Sequence, residues 1–548
     1  MRSVYTMPKV TGGEAVVKSL IAHGVDTLFA LPGVQNDYLF NALYDHRDQI
    51  RVIHPRHEQG AGYMALGYAQ STDKVGVYSV VPGPGLLNTT AALATAYSLN
   101  SKVLCLTGQI QSNHIGQGFG MLHEIPNQLG IIQSLTKWAA RINSPGEAPE
   151  LVAEAFKQMA SGRPRPVGLE IPLDVLKLKV EVDLSPIKPK IRAPAIDSDQ
   201  IEAAAKLLGQ AKQPMIFVGS GAIGAVEEVK LLAEALQAPV AAYTSGLGIL
   251  SSDHYLSLSY PAAYSIWPQV DVVLAVGTRL QRPRQLWGTD DRLKVIHIDI
   301  DPEEQRRIGK PAVGLVADSQ AALQALIPAV EKYNSVRASR QEELAGVKAE
   351  VEGRLAFLEP QLSYIKLMRE ELPPDGIFVG ELTQVGYVSR AVFPVYKPKT
   401  YLTQGYQGTL GGGFAMALGA KIANPDKAVL AIAGDGGFMF TVQELATAVQ
   451  HKINTVTIIY NDGAYGNVRR MQKQDYGGKL IATELQNPDF VKLAEAFGAQ
   501  GLRAETPDEL RQAIRKGFAA NVPTLIDVPV GEMPSPAEAL WYMPKVRG

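Results

Sequence analysis

The stretch Gly434-Asp435-Gly436-Gly437, followed 26 residues after its aspartate by Asn461-Asp462-Gly463-Ala464-Tyr465-Gly466, decides the fold. An apolar run, AVLAIA at 428–433, leads into the first motif, and a second run, TVTIIY at 455–460, leads into the other. The residues between, 442–450, read as a helix. The order strand, acidic turn, helix, strand, polar turn predicts one parallel βαβ unit with both polar turns at the carboxyl ends of its strands. Two hard oxygen ligands and several glycine-exposed amides then converge on one spot. Such a spot suits Mg²⁺ bound to a diphosphate, because Mg²⁺ prefers oxygen and shares its coordination with phosphate and water.

The same alternation extends outward from this unit. Toward the N-terminus, apolar runs at 27–31, 75–81, 103–107 and 167–171 read as buried parallel strands between Gly/Ala-rich helical stretches. Runs at 214–218, 271–276 and 294–300 repeat the pattern in the middle. A Pro/Lys-rich stretch at 184–194 reads as an extended linker, and the charged stretch 339–355 as a solvated connecting helix. The expectation is an α/β chain of three successive doubly wound parallel-sheet domains over residues 1–185, 190–335 and 356–535.

Bulk properties exclude several functions. The 548 residues are 46% hydrophobic and 20% charged, with a formal net charge of −1, which leaves no basic footprint for nucleic acid or an anionic membrane. No apolar run reaches the roughly 18 residues of a membrane span, and the N-terminus lacks a signal-peptide layout, so the cytoplasm is expected. The single cysteine, Cys105, lies in an apolar run and reads as a buried strand residue rather than a nucleophile.

A second constellation lies near the N-terminus. Residues 53–68 open a helix with His57-Glu58-Gln59 and then line it with Gly60, Ala61, Gly62 and Ala65, which permits close approach of a helix or a flat ligand. A first-turn glutamate is also what a helix dipole favours by itself. The Pro82-Gly83-Pro84-Gly85 turn joins a strand to an Ala-rich helix and has the form of a phosphate-accepting or merely tight βα turn.

With these residues in view, the chain resembles the thiamine diphosphate-dependent enzymes of the acetolactate synthase and pyruvate decarboxylase type, from Thr11 to about Val530. The resemblance rests on the Glu58 helix, the Pro-Gly-Pro-Gly turn, Thr107-Gly108-Gln109, residues 297–302, 407–411 and 434–436, and the stretches 442–446 and 487–497. It implies a pyrimidine-binding, a middle and a diphosphate-binding domain. It further implies that Asp435, Asp462 and the carbonyl of Ala464 hold Mg²⁺. By the same resemblance the diphosphate would lie against Gly436, Gly437, Thr383 and Gln384, Gly434, Tyr465 and Gly466 would be further cofactor-binding residues, and Gly408 and Leu410 would grip the aminopyrimidine ring. Glu58, supplied by a partner subunit, shares a proton with N1′ of that ring, so that the 4′ imino group can take the thiazolium C2 proton. A homodimer is then the minimum unit, and a homotetramer is consistent with it.

Departures from the family bear on the substrate. Asp462 stands where an asparagine is usual, Met471 where acetolactate synthases carry tryptophan, and Leu122-His123-Glu124 where they carry Phe-Gln-Glu. The substrate end is expected to be lined by Val34, Gln35, Asn36, Gln109, His114, His123, Asn467 and Met471. Asn36 and Gln109 would bond a carbonyl or hydroxyl and His123 would relay protons, although each also reads as an ordinary loop polar residue. This lining of amides and histidines points to a diketone, aldehyde or hydroxyketone, and the stretches 121–127 and 461–470 resemble those of the cyclohexane-1,2-dione-cleaving members. The expected activity is C–C cleavage or formation on 2-oxo acids, 1,2-diketones or 2-hydroxyketones. A cyclic-diketone hydrolase and a catalytically silent homologue are the alternatives. Residues 297–302 and Gly219-Ser220-Gly221-Ala222 leave FAD or ADP open in the middle domain, against which the flavin-binding relatives' Gly-Met-x-Gly turn is missing at 256–262.

Overall fold

The computed structural model describes residues 7–548, so the first six residues of the expected range 1–185 lie outside the described residues. It contains three six-stranded sheets and one antiparallel pair, Lys9–Thr11 against Lys179–Glu181. The N-terminal sheet comprises Thr27–Ala30, Arg51–Ile53, Gly76–Val80, Val103–Gln109, Trp138–Arg141 and Val167–Pro172, all parallel. Numbered along the chain, its spatial order is 2-1-3-4-6-5.

The middle sheet, Pro214–Val218, Val240–Ala242, Ser257–Leu258, Val272–Val276, Lys294–Asp299 and Val313–Val316, has the order 3-2-1-4-5-6. The C-terminal sheet, Ile377–Gly380, Tyr401–Thr403, Val429–Gly434, Val456–Asn461, Gln500–Arg503 and Thr524–Pro529, repeats the order of the first. Helical crossovers cover both faces of each sheet. This is why the central strands are continuous apolar runs and why a sequence reading finds them.

Among the strands that the apolar runs did not single out are short edge pieces such as Arg51–Ile53 and Gln500–Arg503. Their exposed polar residues erase the apolar signal. The charged connector forms the helix Gln341–Leu355 as expected, but it is not merely solvated. Leu344, Val351 and Leu355 bury a stripe against the middle domain's core.

In an open parallel sheet, ligands bind outside the carboxyl ends of strands where the strand order reverses. In the N-terminal sheet that point lies between Thr27–Ala30 and Gly76–Val80, whose following turns carry Val34–Asn36 and Pro82–Gly85. In the C-terminal sheet it lies between Ile377–Gly380 and Val429–Gly434, followed by Glu381–Gln384 and Asp435–Phe438. The motifs read from sequence therefore stand at topologically equivalent positions.

The N- and C-terminal domains share one core through two crossed helices, Glu58–Ser71 and Gly412–Ala423. Their crossing needs glycine on both sides. A Cβ on Gly67 would lie 2.0 Å from the carbonyl oxygen of Met416, and one on Gly419 would lie 1.9 Å from that of Met64.

Candidate active site

At the C-terminal switch point, Asp435 opens the turn after Val429–Gly434 and is buried, with Oδ2 accepting a bond from Asn487 Nδ2 at 2.5 Å. The same Asn487 nitrogen donates to Asn461 Oδ1 at 3.1 Å, tying the two polar turns together. Asp462 Oδ2 accepts from Gln384 Nε2 at 3.1 Å. Burial, and then the nearby charge of Asp435, push the Asp462 carboxyl up to about 6. Two carboxylates this close repel unless a cation lies between them.

Ala464 pairs with Glu484 as an antiparallel bridge closed by Tyr465 N–H to Thr483 O and Leu485 N–H to Gly463 O. In such a non-bonded pair the residue's own N–H and C=O turn away from the partner strand. The carbonyl of Ala464 thus faces the side on which its N–H interacts with the Asp462 carboxylate. Two carboxylates and one backbone carbonyl make a donor set that fits Mg²⁺ completed by other oxygens.

The glycines here are required by their neighbours. A Cβ on Gly436 would meet the Tyr465 ring at 2.7 Å, one on Gly437 the Glu381 carboxylate at 2.6 Å, and one on Gly466 Asp462 Oδ2 at 2.4 Å. Thr383 caps the helix Gln384–Val392 by accepting the N–H of Gly386 at 2.8 Å. The Gln384 side chain is fully committed. Besides Asp462 it donates to the carbonyl of Gly531 at 3.0 Å and accepts from Met533 N at 2.7 Å.

The segment Gly408-Thr409-Leu410 is held beside this turn from two directions. Glu381, completely buried and pushed up to about 7 by that burial, accepts the N–H of Gly411 at 2.5 Å. From the N-terminal domain of the same chain, the hydroxyl of Tyr63 bonds Thr409 Oγ1 at 2.7 Å. Gly408 adopts φ +60°, and a Cβ there would lie 2.9 Å from Leu382.

Glu58 begins the helix Glu58–Ser71, is half-buried, and accepts a bond from Asn88 Nδ2 at 2.9 Å. Side chains repeat on a helix face every three or four residues. Gly60, Tyr63, Met64 and Gly67 form the stripe facing the C-terminal domain of the same chain, whereas Glu58 and Gly62 share a face turned toward Asn88 and Ala92. The helix thus binds its own C-terminal domain with one face and presents Glu58 on another.

The N-terminal loops form a polar cluster. Gln35 donates to the carbonyl of Leu122 at 3.0 Å and its oxygen lies 3.1 Å from His123 Nδ1. Asn36 is buried, donates to Ser79 Oγ at 3.4 Å, and leaves Oδ1 without a partner. His123 has φ +69°, a left-handed backbone uncommon outside glycine, and its carbonyl fills the space that a side chain at Gly83 would need.

Gln109 is nearby but turned inward. Its amide donates to Glu170 at 3.2 Å, in a network that Gln128 and Arg141 complete. His114 packs edge-on against Phe119. Asn467 and Met471 project from the helix Gly466–Asp475 of the C-terminal domain, and among the described residues no hydrogen bond joins them to the N-terminal cluster. Large apolar side chains are exposed beside both halves: Val34, Leu87 and Leu122 on one, Phe440, Val468 and Met471 on the other.

At the middle sheet's switch point a cavity of about 920 Å³ opens between all three domains, lined by Gly219, Ser220, Gly221, Thr278, Arg282 and Arg390 among others. Asp299 lines its edge with its carboxylate 3.6 Å from Arg163 of the N-terminal domain. His297 lies in the sheet, donates to the carbonyl of Thr278 at 2.8 Å, and is held below the usual imidazole range by burial.

Sequence reasoning assigned no role to Tyr63, Asn88, Glu381, Glu444 or Asn487. Each works by contact with a residue distant in the chain. The available signals were a polar side chain inside an otherwise small or apolar helix or strand end and, for Glu444 and Asn487, their place in the stretches 442–446 and 487–497 that carry the resemblance.

Known proteins bear on this arrangement directly. "Thiamine pyrophosphate enzyme, N-terminal TPP binding domain" matches residues 10–131, the central domain of the same enzymes 201–326, and their C-terminal TPP binding domain 382–528. The chain therefore belongs to the thiamine pyrophosphate-dependent enzymes, in their acetolactate synthase-like branch. Among its relatives, a probable 2-ketoarginine decarboxylase of Pseudomonas aeruginosa is 34% identical over 535 residues, covering 95% of this chain and 94% of that protein. The acetolactate synthase large subunit of Corynebacterium glutamicum is 34% identical over 558 residues, 96% and 87% of the two chains. The isozyme 1 large subunit of Escherichia coli is 31% identical over 537 residues, 95% and 94%. No helix among the described residues is long and apolar enough to cross a membrane.

Proposed function

We propose that this chain is a thiamine diphosphate- and Mg²⁺-dependent decarboxylase or carboligase that takes a 2-oxo acid, with domains at 1–185, 190–335 and 356–535. The observation that carries the reading is the convergence of Asp435, Asp462, Gly436 and Gly437 at the C-terminal switch point, with Gly408–Leu410 buttressed beside them by Glu381. The substrate class is supported by the relative whose name specifies a 2-oxo acid and its decarboxylation.

When bound, thiamine diphosphate supplies a carbon nucleophile and an electron sink for the C–C bond that breaks. The chain's residues do the rest. Asp435, Asp462 and the Ala464 carbonyl hold the metal. The amides of Gly434, Gly436 and Gly437, with Thr383, Tyr465 and Gly466 around them, receive the diphosphate. Gln384 acts on it indirectly, by orienting Asp462. Gly408 and Leu410 fix the aminopyrimidine, Leu410 by its bulk. The partner subunit's Glu58 holds and returns a proton at N1′. Asn36, whose free buried oxygen can accept from a substrate hydroxyl, and His123, which can pass a proton to or from a substrate oxygen, face the substrate, and Gln109 stiffens the strand end beneath them through Glu170.

A site between subunits is supported by the face on which Glu58 lies and by the apolar side chains exposed beside both halves. A homodimer, or a homotetramer built from it, is the unit we expect, working in the cytoplasm. The middle cavity's basic lining and Gly219–Gly221 turn suit FAD or ADP, which absorbance and mass spectra of the purified protein test.

The decisive experiment is reconstitution with thiamine diphosphate and Mg²⁺, followed by mass spectrometry on a panel of 2-oxo acids, aldehydes and cyclic 1,2-diketones. Carbon dioxide release from a 2-oxo acid is the expected outcome. Ring opening of a diketone with every 2-oxo acid inert would overturn the substrate class. Glu58→Gln is expected to fold and bind cofactor yet lose C2 proton exchange; wild-type exchange would sink the role of Glu58.

A further inference from the structure

Glu444 is the first residue of the helix Glu444–Gln450 in the C-terminal domain, and its side chain is wholly buried. Two of the three bonds its carboxylate accepts come from the N-terminal domain, nearly four hundred residues away in sequence. Oε1 accepts the backbone N–H of His57 at 3.0 Å, and Oε2 accepts that of Arg56 at 3.0 Å. Thr447 supplies the third, its hydroxyl donating to Oε2 at 2.7 Å. A buried carboxylate is tolerated only where such donors replace its water. Burial raises the Glu444 carboxyl, and these donors oppose that rise.

The geometry selects one place for this carboxylate. Arg56 and His57 are the two residues before Glu58, and His57 is the N-cap of the Glu58 helix, accepting the N–H of Gln59 at Nδ1. A Cβ on Gly60 would fall 2.4 Å from Glu444 Oε1, so the first helical turn rests directly on the carboxylate. The negative charge also lies at the positive end of that helix, where it stabilises the turn.

We propose that Glu444 is a positioning residue that fixes the direction of the Glu58 side chain by clamping the backbone immediately before it. The proposal rests on the reading that Glu58 exchanges a proton with the cofactor, and Glu444 acts only through Glu58.

The test uses Glu444→Gln, which keeps the shape but turns an NH₂ group against one of two backbone N–H donors. In cofactor-free protein, amide hydrogen exchange at residues 56–60 is expected to rise about tenfold or more, with the rest of the N-terminal core unchanged. In the reconstituted enzyme, C2 proton exchange is expected to slow by about 10- to 100-fold while substrate KM and cofactor Kd stay within about threefold. Gly60→Ala, which crowds the same carboxylate from the other domain, is expected to reproduce both effects.

Wild-type amide protection and wild-type C2 exchange in Glu444→Gln would overturn the proposal. So would losses that follow protection across the whole domain, since that marks a general structural role. If Glu58→Gln itself exchanges normally, the reading of Glu58 fails and this inference fails with it. If Glu58→Gln is dead but Glu444→Gln exchanges normally, only this inference fails.

Discussion

Replacing Gly419 with alanine should push apart the N- and C-terminal domains of one chain, whose helices cross at this residue. The new Cβ would sit 1.9 Å from the carbonyl oxygen of Met64, where carbon and oxygen normally stay more than 3 Å apart. The obstructing atom is backbone inside a helix, so no side chain can rotate away and the two helices must part by roughly 1 Å. Overpacking of this kind costs about 3 kcal/mol at the upper end of its usual range. Alanine's better helix propensity returns about 1 kcal/mol, for a net loss of about 2 kcal/mol.

The displaced helix carries Glu58 at its start and Tyr63 on its inner face, and a 1 Å error in a reacting geometry costs up to about 100-fold in rate. Urea unfolding followed by fluorescence, with turnover measured on the same samples, checks both effects. Gly346→Ala is the control. It lies on the exposed face of the helix Gln341–Leu355 with no atom within 4 Å of the new Cβ, and it should raise stability slightly at unchanged activity. If Gly419→Ala matched that control in midpoint and turnover, the close helix crossing would be wrong.

Tyr63→Phe removes the 2.7 Å bond to Thr409, and the loss of about 1 kcal/mol should weaken cofactor binding about fivefold by calorimetry; an unchanged Kd refutes the anchoring of Gly408–Leu410. Asp435→Ala should lose cofactor at micromolar Mg²⁺, and undiminished binding refutes its metal role. His451, at the domain junction beside His54, is held down to about 4 by burial and the neighbouring positive charges, from an ordinary 6.5. Its unfolded form binds a proton first, so its contribution is complete above pH 6.5 and fades as pH falls toward about 4. His451→Gln should flatten that part of the acid limb in pH-dependent unfolding, and an unchanged limb contradicts the assignment.

Much of the architecture is legible in the sequence. The runs at 428–433 and 455–460 became Val429–Gly434 and Val456–Asn461 because a strand buried on both faces must be apolar throughout. The helix between them was read two residues long at its start, since 441–443 form a turn in which Thr441 bonds the carbonyl of Gly411. The edge strands Arg51–Ile53 and Gln500–Arg503 escaped because their residues partly meet water, but the buried interior strands Val240–Ala242, Ile377–Gly380 and Thr524–Pro529 were not singled out either. Gln384 was legible as a site residue, but its bonds reach Asp462, 78 residues on, and Gly531 and Met533 in a tail almost 150 residues away.

By itself, the sequence determined the α/β class, the threefold alternation and the Gly-Asp-Gly and Asn-Asp turns. All of these follow from local periodicity and from residues a few positions apart. Only the tertiary structure decided which face of the Glu58 helix turns away from its own C-terminal domain, why Gly67 and Gly419 admit no side chain, and that Glu444 holds the backbone before Glu58. Those facts come from packing between segments hundreds of residues apart, where sterics and the need to satisfy a buried carboxylate choose the partners and local sequence has no influence.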